Sequence, residues 1–139
     1  MPYNGDVAAA LATAREMTFR EGDFHWVHDG RWGLPERPRP NSVAELWADP
    51  IVQETGTHSV LDIWDVCGSA EDSEIAVAAL LTHQTSQRLF GTDRPTRDDY
   101  QRALVALWDV VEDRGFGYYV LLYRDNVPDE ISFFGVTGD

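Results

Sequence analysis

The chain has no lysine. Its eleven cationic side chains are all arginine and stand against 24 Asp and Glu, giving a formal net charge of −13 over 139 residues. Such a surface repels phosphate backbones and anionic bilayers and attracts cationic partners, so neither nucleic-acid nor membrane binding is expected. Cysteine is nearly absent as well. Cys67 stands alone, which rules out an internal disulfide framework and fits a reducing compartment. No apolar run approaches the roughly 18 residues that mark a spanning helix. The stretch MPYNGDVAAALATARE lacks the basic lead and apolar core of a secretory leader. These absences together predict a cytoplasmic protein. A nucleophile elbow, paired cysteines and a phosphate-cradling glycine loop are missing too, and Gly115-Phe116-Gly117 is too short for the last and reads as a helix end. No cofactor and no metal are expected.

What is present is enough for a folded core. Hydrophobic residues make up 43% of the chain, with five Trp, five Tyr and six Phe, so the acidity belongs to a folded surface and not to a solvated tail. The length predicts one domain over residues 1–139. Asn4 or Asp6 and Gly22 frame a helix over 5–21, with Val7, Ala10, Leu11, Ala14 and Met17 on one face. Asp29-Gly30, between Phe24-His25-Trp26-Val27-His28 and Arg31-Trp32, predicts a hairpin over 24–33 with Val27 opposite Trp32. Three prolines in 35–40 make an extended connector.

Ser42 and Glu45 form a capping box for a short helix that Asp49-Pro50 interrupts and that ends at Gly56. His58 to Cys67 reads as an interior strand, 58–67, apolar on both faces. Ser69 with Asp72 opens a helix over 71–90 whose buried stripe is Ile75, Ala78, Leu81, Thr85 and Leu89, closed by Gly91. Thr96 with Asp99 opens another over 96–114, with Tyr100, Ala103, Leu104, Leu107 and Val111 inward. A second hairpin, 117–136, follows. The expected class is α+β: a small, mostly antiparallel sheet from hairpin 24–33, strand 58–67 and hairpin 117–136, covered by three main helices.

Asp62 and Asp65, with His58 nearby, are the best chemical lead, because a carboxylate at a strand end with a raised pKa serves acid–base work. Strand alternation sends the two to opposite faces, so a dyad needs a bulge, and capping nearby backbone or pairing with arginine is the plainer role. His25 and His28, beside Asp23 or Asp29, invite a metal, but three-residue spacing on a strand points the rings apart. His83 is isolated, and Cys67 reads as a small core residue without a histidine partner.

Tyr100, Leu104 and Ala106-Leu107-Trp108-Asp109, followed by the strand ending at Arg124, resemble the acidic helix and following strand of barstar-type ribonuclease inhibitors. The resemblance spans residues 100–124 and implies that Asp109 faces the basic site of a toxin. Val105 stands where the family carries a second acidic residue, and Ala103 where it carries asparagine.

The charge, the aromatic content and the lack of reactive machinery point away from an enzyme. They point to an acidic protein–protein interaction domain, of the immunity or inhibitor kind, that neutralises a basic protein such as a toxin. Its contact residues are expected among Asp98, Asp99, Asp109, Glu112, Asp113, Trp32 and Arg31. The alternative is a small-molecule-binding protein or small enzyme with its site at the helix–sheet junction. A third reading is a winged-helix-like regulator, with 71–90 and 96–114 leading into a wing, against which the acidity of 96–114 weighs.

Overall fold

Asp6 and Gly22 set the ends of the first element. In the computed structural model, which describes residues 1–111 and 115–135, the Asp6 carboxylate accepts the Ala9 amide at 3.0 Å. Gly22 closes the helix at φ 70°, donating to the Phe19 carbonyl, so α1 runs Val7–Glu21. Ala10 and Val7 press it onto the sheet, while Met17 faces out.

The Asp29-Gly30 hairpin does not form. Phe24, Trp26, Val27 and His28 are all buried, and strand alternation would have sent neighbours 26 and 27 to opposite faces. The segment threads instead through a core with Leu46, Val52 and Leu61. Asp29 accepts the Arg31 amide at 3.0 Å, a local Asx turn that bends the chain without pairing it. The His28 carbonyl takes the Arg37 amide at 3.0 Å, and the Trp26 indole donates to the Arg37 carbonyl at 3.0 Å. Residues 28–37 are therefore a pinned loop.

Two short helices follow as their caps require. Ser42 accepts from Glu45 at 3.1 Å to start α2 (Val43–Ala48). Asp49 then opens α3 (Pro50–Thr55) by accepting from Ile51 at 2.8 Å and Val52 at 3.4 Å, with proline where no amide is needed.

The expected strand 58–67 shrinks to β1 (Asp65–Cys67), and Val60–Asp62 coils into a 3-10 turn. Side-chain acceptors cause this: Asp62 takes the amides of Thr57 and His58, and Ser59 takes that of Leu61, offering the backbone an alternative to the ladder. The expected helix 71–90 is also wrong over its first half. Ala70–Asp72 is a single 3-10 turn, and Val77–Leu80 is β2, an interior strand of the sheet. Only His83–Phe90 is helical (α4), capped by Thr82 and Gly91. Ile75, expected in the buried stripe, is 73% exposed.

The Thr96–Asp99 capping box is present, but it starts only α5 (Arg97–Arg102), and a 3-10 turn follows at Ala106–Asp109. Leu104, expected inward, is exposed. Glu112 and Asp113 lie outside the described residues. The last hairpin holds: β3 (Gly117–Arg124) and β4 (Val127–Gly135) join through Asp125 and Asn126, both at positive φ (50° and 63°), a pairing that matches the right-handed strand twist.

The sheet order is β1-β2-β3-β4, with β1/β2 and β2/β3 parallel and β3/β4 antiparallel. It is thus mixed and not mostly antiparallel, and five α-helices accompany it among the described residues. The broad α+β expectation stands. One face carries α1 against Ala78, Tyr119 and Ile131. The other carries α4 and α5, whose Leu89, Phe90 and Tyr100 meet Leu81, Val120 and Leu122.

Candidate functional site

A cleft of about 470 Å³ opens at the amino ends of the parallel strands, between the 53–64 segment and the 115–118 and 133–135 stretches. Its backbone is tied across strands. The Ala76 amide donates to the Gly115 carbonyl at 2.8 Å, and the Ala76 carbonyl accepts from Trp64 at 2.7 Å. Ala76 (φ 66°) and His58 (φ 54°) sit on this cleft in left-handed conformations that L-residues seldom adopt. Non-glycine residues held this way are stabilised by their surroundings at some cost and concentrate at sites of function.

Aromatic rings form much of the wall. Trp47 and Trp64 meet at 5.2 Å between centroids with their planes 59° apart. The Arg15 guanidinium lies 4.1 Å over the Trp64 ring. Burial lowers the pKa of Arg15 from its ordinary value, and the charge of Asp62 opposes this.

Asp62 lines the cleft with both oxygens occupied. One accepts from the Thr57 amide and the Thr57 hydroxyl, each at 2.7 Å, and the other accepts the His58 amide at 3.1 Å. Asp65 is exposed and accepts the amide of Val66 at 2.8 Å. The two do not converge. His58 is exposed beside His25, at 4.9 Å between ring centroids, and His25 meets the exposed Trp32 edge-on at 5.2 Å. Arg31 bonds Asp29 at 2.6 Å. This hydrogen bond is the chief cause of the lowered Asp29 pKa.

His28 goes elsewhere. It is buried, and its Nε2 lies 2.7 Å from Asp49, which Arg37 approaches at 3.6 Å. Burial pushes the Asp49 carboxyl up, but the His28 hydrogen bond and the Ile51 and Val52 amides outweigh it, and the pKa is lowered overall. His25 and His28 are therefore parted, and among the described residues no group of three or more His, Cys, Asp or Glu is arranged to hold a metal ion. Cys67 is half-buried, with its thiol directed at the Ser69 carbonyl.

A second cavity of about 300 Å³ lies between Tyr100, Leu104, Leu107, Trp108 and Phe134. Of these Leu104 is 48% and Trp108 67% exposed, and Val105, the next residue in the chain, is 84% exposed. Asp98 and Asp109 are exposed on the same segment, and neither has an ion-pair partner among the described residues. Asp99 instead serves the helix start, bonded by Thr96 and paired with Arg102. The Thr96 amide hydrogen bond is the first cause of its lowered pKa.

No protein family, curated protein or solved structure matches the chain. The barstar-type resemblance at 100–124 rests on those residues alone. The acidic helix it implies is divided here between α5 and the 3-10 turn that carries Asp109.

Sequence reasoning missed three arrangements. The Trp47–Trp64 pair joins α2 to the start of β1 across 17 positions, with no local pattern to announce it. His28 and Asp49 lie 21 positions apart, again with no local pattern to join them. The exposure of Leu104 is hidden in the sequence by a helical pattern that runs past the end of α5 and places this residue inward.

Proposed function

We propose that the chain is an acidic docking domain for a basic protein, the role an immunity or inhibitor protein fills against a basic toxin. The observation that carries this reading is the exposure of Leu104 and Trp108 on an apolar cavity, with Val105 exposed next to Leu104 in the chain, on a protein of net charge −13. Grouped exposed apolar residues mark interaction surfaces, and tryptophan is enriched among their anchors. Asp98 and Asp109 on the same segment supply the sign. A partner with an apolar side chain flanked by arginine or lysine matches both features. The apolar group enters the cavity, and the cations meet the carboxylates. The field of the whole chain speeds the encounter.

The test is kinetic. A partner captured on the immobilised domain is identified and purified, and the pair is then measured alone. The on-rate is expected to fall about tenfold or more between low and physiological salt. Trp108→Ala is expected to raise the off-rate by about tenfold or more while leaving the melting temperature within about 2 °C. An acidic partner, or a basic one whose rates ignore both salt and Trp108, refutes the proposal.

A second reading, a small-molecule site at the helix–sheet junction, is supported by the cleft at Trp47 and Trp64, whose size falls in the range of ligand pockets. The winged-helix alternative finds less support, since the helices it needs are eight and six residues long.

A further inference from the structure

We infer that the cleft beside Trp47 and Trp64 binds a planar, positively charged small molecule, a ring system carrying an amine or a cationic heterocycle. The inference rests on the small-molecule reading of this cleft and is independent of the docking patch around Trp108.

Shape favours a flat guest. Trp47 and Trp64 stand at 59° to one another, making an angled aromatic wall, with Phe116 and Ile75 also on the cleft. Ile75 is 73% exposed there, so apolar surface is left facing the opening. A ring system inserted in the cleft removes this surface from water, the main driving force for a ligand of this kind.

Charge decides between cation and anion. The acidic and histidine side chains in the wall are Glu54, His58 and Asp62, and no arginine lines the cleft among the described residues. Asp62 is already bonded to Thr57 and His58. Glu54 is exposed with no ion-pair partner among the described residues, which leaves its carboxylate available to an incoming ammonium. An anionic ligand finds no arginine among the described residues that line the cleft and meets the Glu54 and Asp62 carboxylates instead. Arg15 already stacks on Trp64 at 4.1 Å, an internal instance of the cation-on-indole contact the ligand would make.

The position of the cleft supports reading it as built. The Ala76 hydrogen bonds to Trp64 and Gly115 brace its floor across two strands. Gln53 donates to the Trp47 carbonyl at 2.6 Å, fixing the backbone that carries one indole wall. Two of its lining residues, His58 and Ala76, are held at positive φ.

Three probes of one shape test this: tryptamine as the cation, indole as the neutral ring and indole-3-acetate as the anion. Each is titrated into the full chain while the five tryptophan indole N–H signals are followed by NMR. Tryptamine is expected to shift Trp47 and Trp64 saturably, to leave Trp26 unmoved, and to bind about tenfold tighter than indole-3-acetate. Glu54→Gln should cut that preference about threefold or more, while Asp98→Asn, an equal charge change elsewhere, leaves it intact. Indole binding at Trp47 and Trp64 with no preference for the cation, or with the anion bound tighter, overturns the inference but spares the cleft as a ligand site. A cation preference that Asp98→Asn reduces as much as Glu54→Gln also overturns it, because general charge attraction then accounts for the effect. Failure of all three probes to move Trp47 and Trp64 overturns both.

Discussion

Asp62→Ala separates a loop-capping carboxylate from a reactive one. The side chain accepts three hydrogen bonds, but they do not weigh equally. The His58 amide belongs to an exposed residue, so water replaces its lost acceptor at little cost. The Thr57 hydroxyl has a second partner in Ser59 at 2.7 Å. The Thr57 amide has neither escape, because Thr57 is fully buried and its amide bonds Asp62 at 2.7 Å. A stranded buried donor costs about 1–3 kcal/mol, and bonds to a charged acceptor lie at the upper end. The expected loss is therefore about 2.5 kcal/mol, or roughly 8 °C in melting temperature for a chain of this length. Asp62→Asn keeps an oxygen for the Thr57 amide and should lose only about 1 kcal/mol. Urea titration followed by tryptophan fluorescence reads both, with an unchanged slope m marking the loss as one of stability. A Gly56→Ala background adds a control. A Cβ there lies 2.9 Å from the Asp62 carboxylate, so the two substitutions should be non-additive, the alanine at 62 relieving part of the clash. A loss under about 0.5 kcal/mol for Asp62→Ala refutes the capping role and returns the carboxylate to the list of groups free for chemistry.

Two further perturbations follow from the same packing. His28→Leu leaves the Asp49 carboxylate without its buried partner and should cost about 3 kcal/mol. Because the folded Asp49 pKa is lowered, the unfolded chain takes up that proton first. Its contribution is complete above the ordinary carboxylate range near 4 and is lost as pH falls through the folded value. His28→Leu should therefore flatten the acid limb of a stability–pH curve measured by urea midpoint, and an unchanged limb refutes the coupling. Ala76→Gly should raise stability by about 0.5 kcal/mol, since relief of a side chain at φ 66° exceeds the entropy glycine adds to the unfolded chain, and a lower urea midpoint than wild type counts against strain at that residue.

The sequence was most legible where a few neighbouring residues determine the outcome. Asp6 with Gly22, Asp49 with Pro50 and Thr96 with Asp99 each satisfy or bend their own backbone, and each forms as expected. Legibility failed where a distant partner decides. Val77-Ala78-Ala79-Leu80 is a short apolar run, equally compatible with a buried helix turn and an interior strand. Its assignment depends on Gly117 to Tyr119, almost forty positions later. Asp29-Gly30 carries strong hairpin chemistry, yet the burial of Trp26, Val27 and His28 in a core with Leu46 and Leu61 outweighs it. At the cleft, Asp62 and His58 were legible as polar residues in an apolar stretch. The indoles that shape the space were not, because Trp47 and Trp64 reach each other only once α2, α3 and the 60–62 turn have folded the chain back.

Arginine usage ties the charge to the two proposed surfaces. Arg20, Arg31, Arg97, Arg102 and Arg124 are paired with Glu16, Asp29, Glu130, Asp99 and Asp129. Arg15, Arg39 and Arg94 lie over Trp64, Phe24 and Tyr123, the kind of stacking a planar guanidinium makes. Cations placed this way neutralise their immediate neighbours. Screening confines what remains to within about 8 Å at physiological salt, so the local sign of a surface matters more than the total. Glu54 at the cleft and Asp109 next to Trp108 in the chain are carboxylates with no such partner among the described residues. At both places an unpaired acid adjoins exposed aromatic surface, so a cationic group attached to something apolar gains there from charge and burial together.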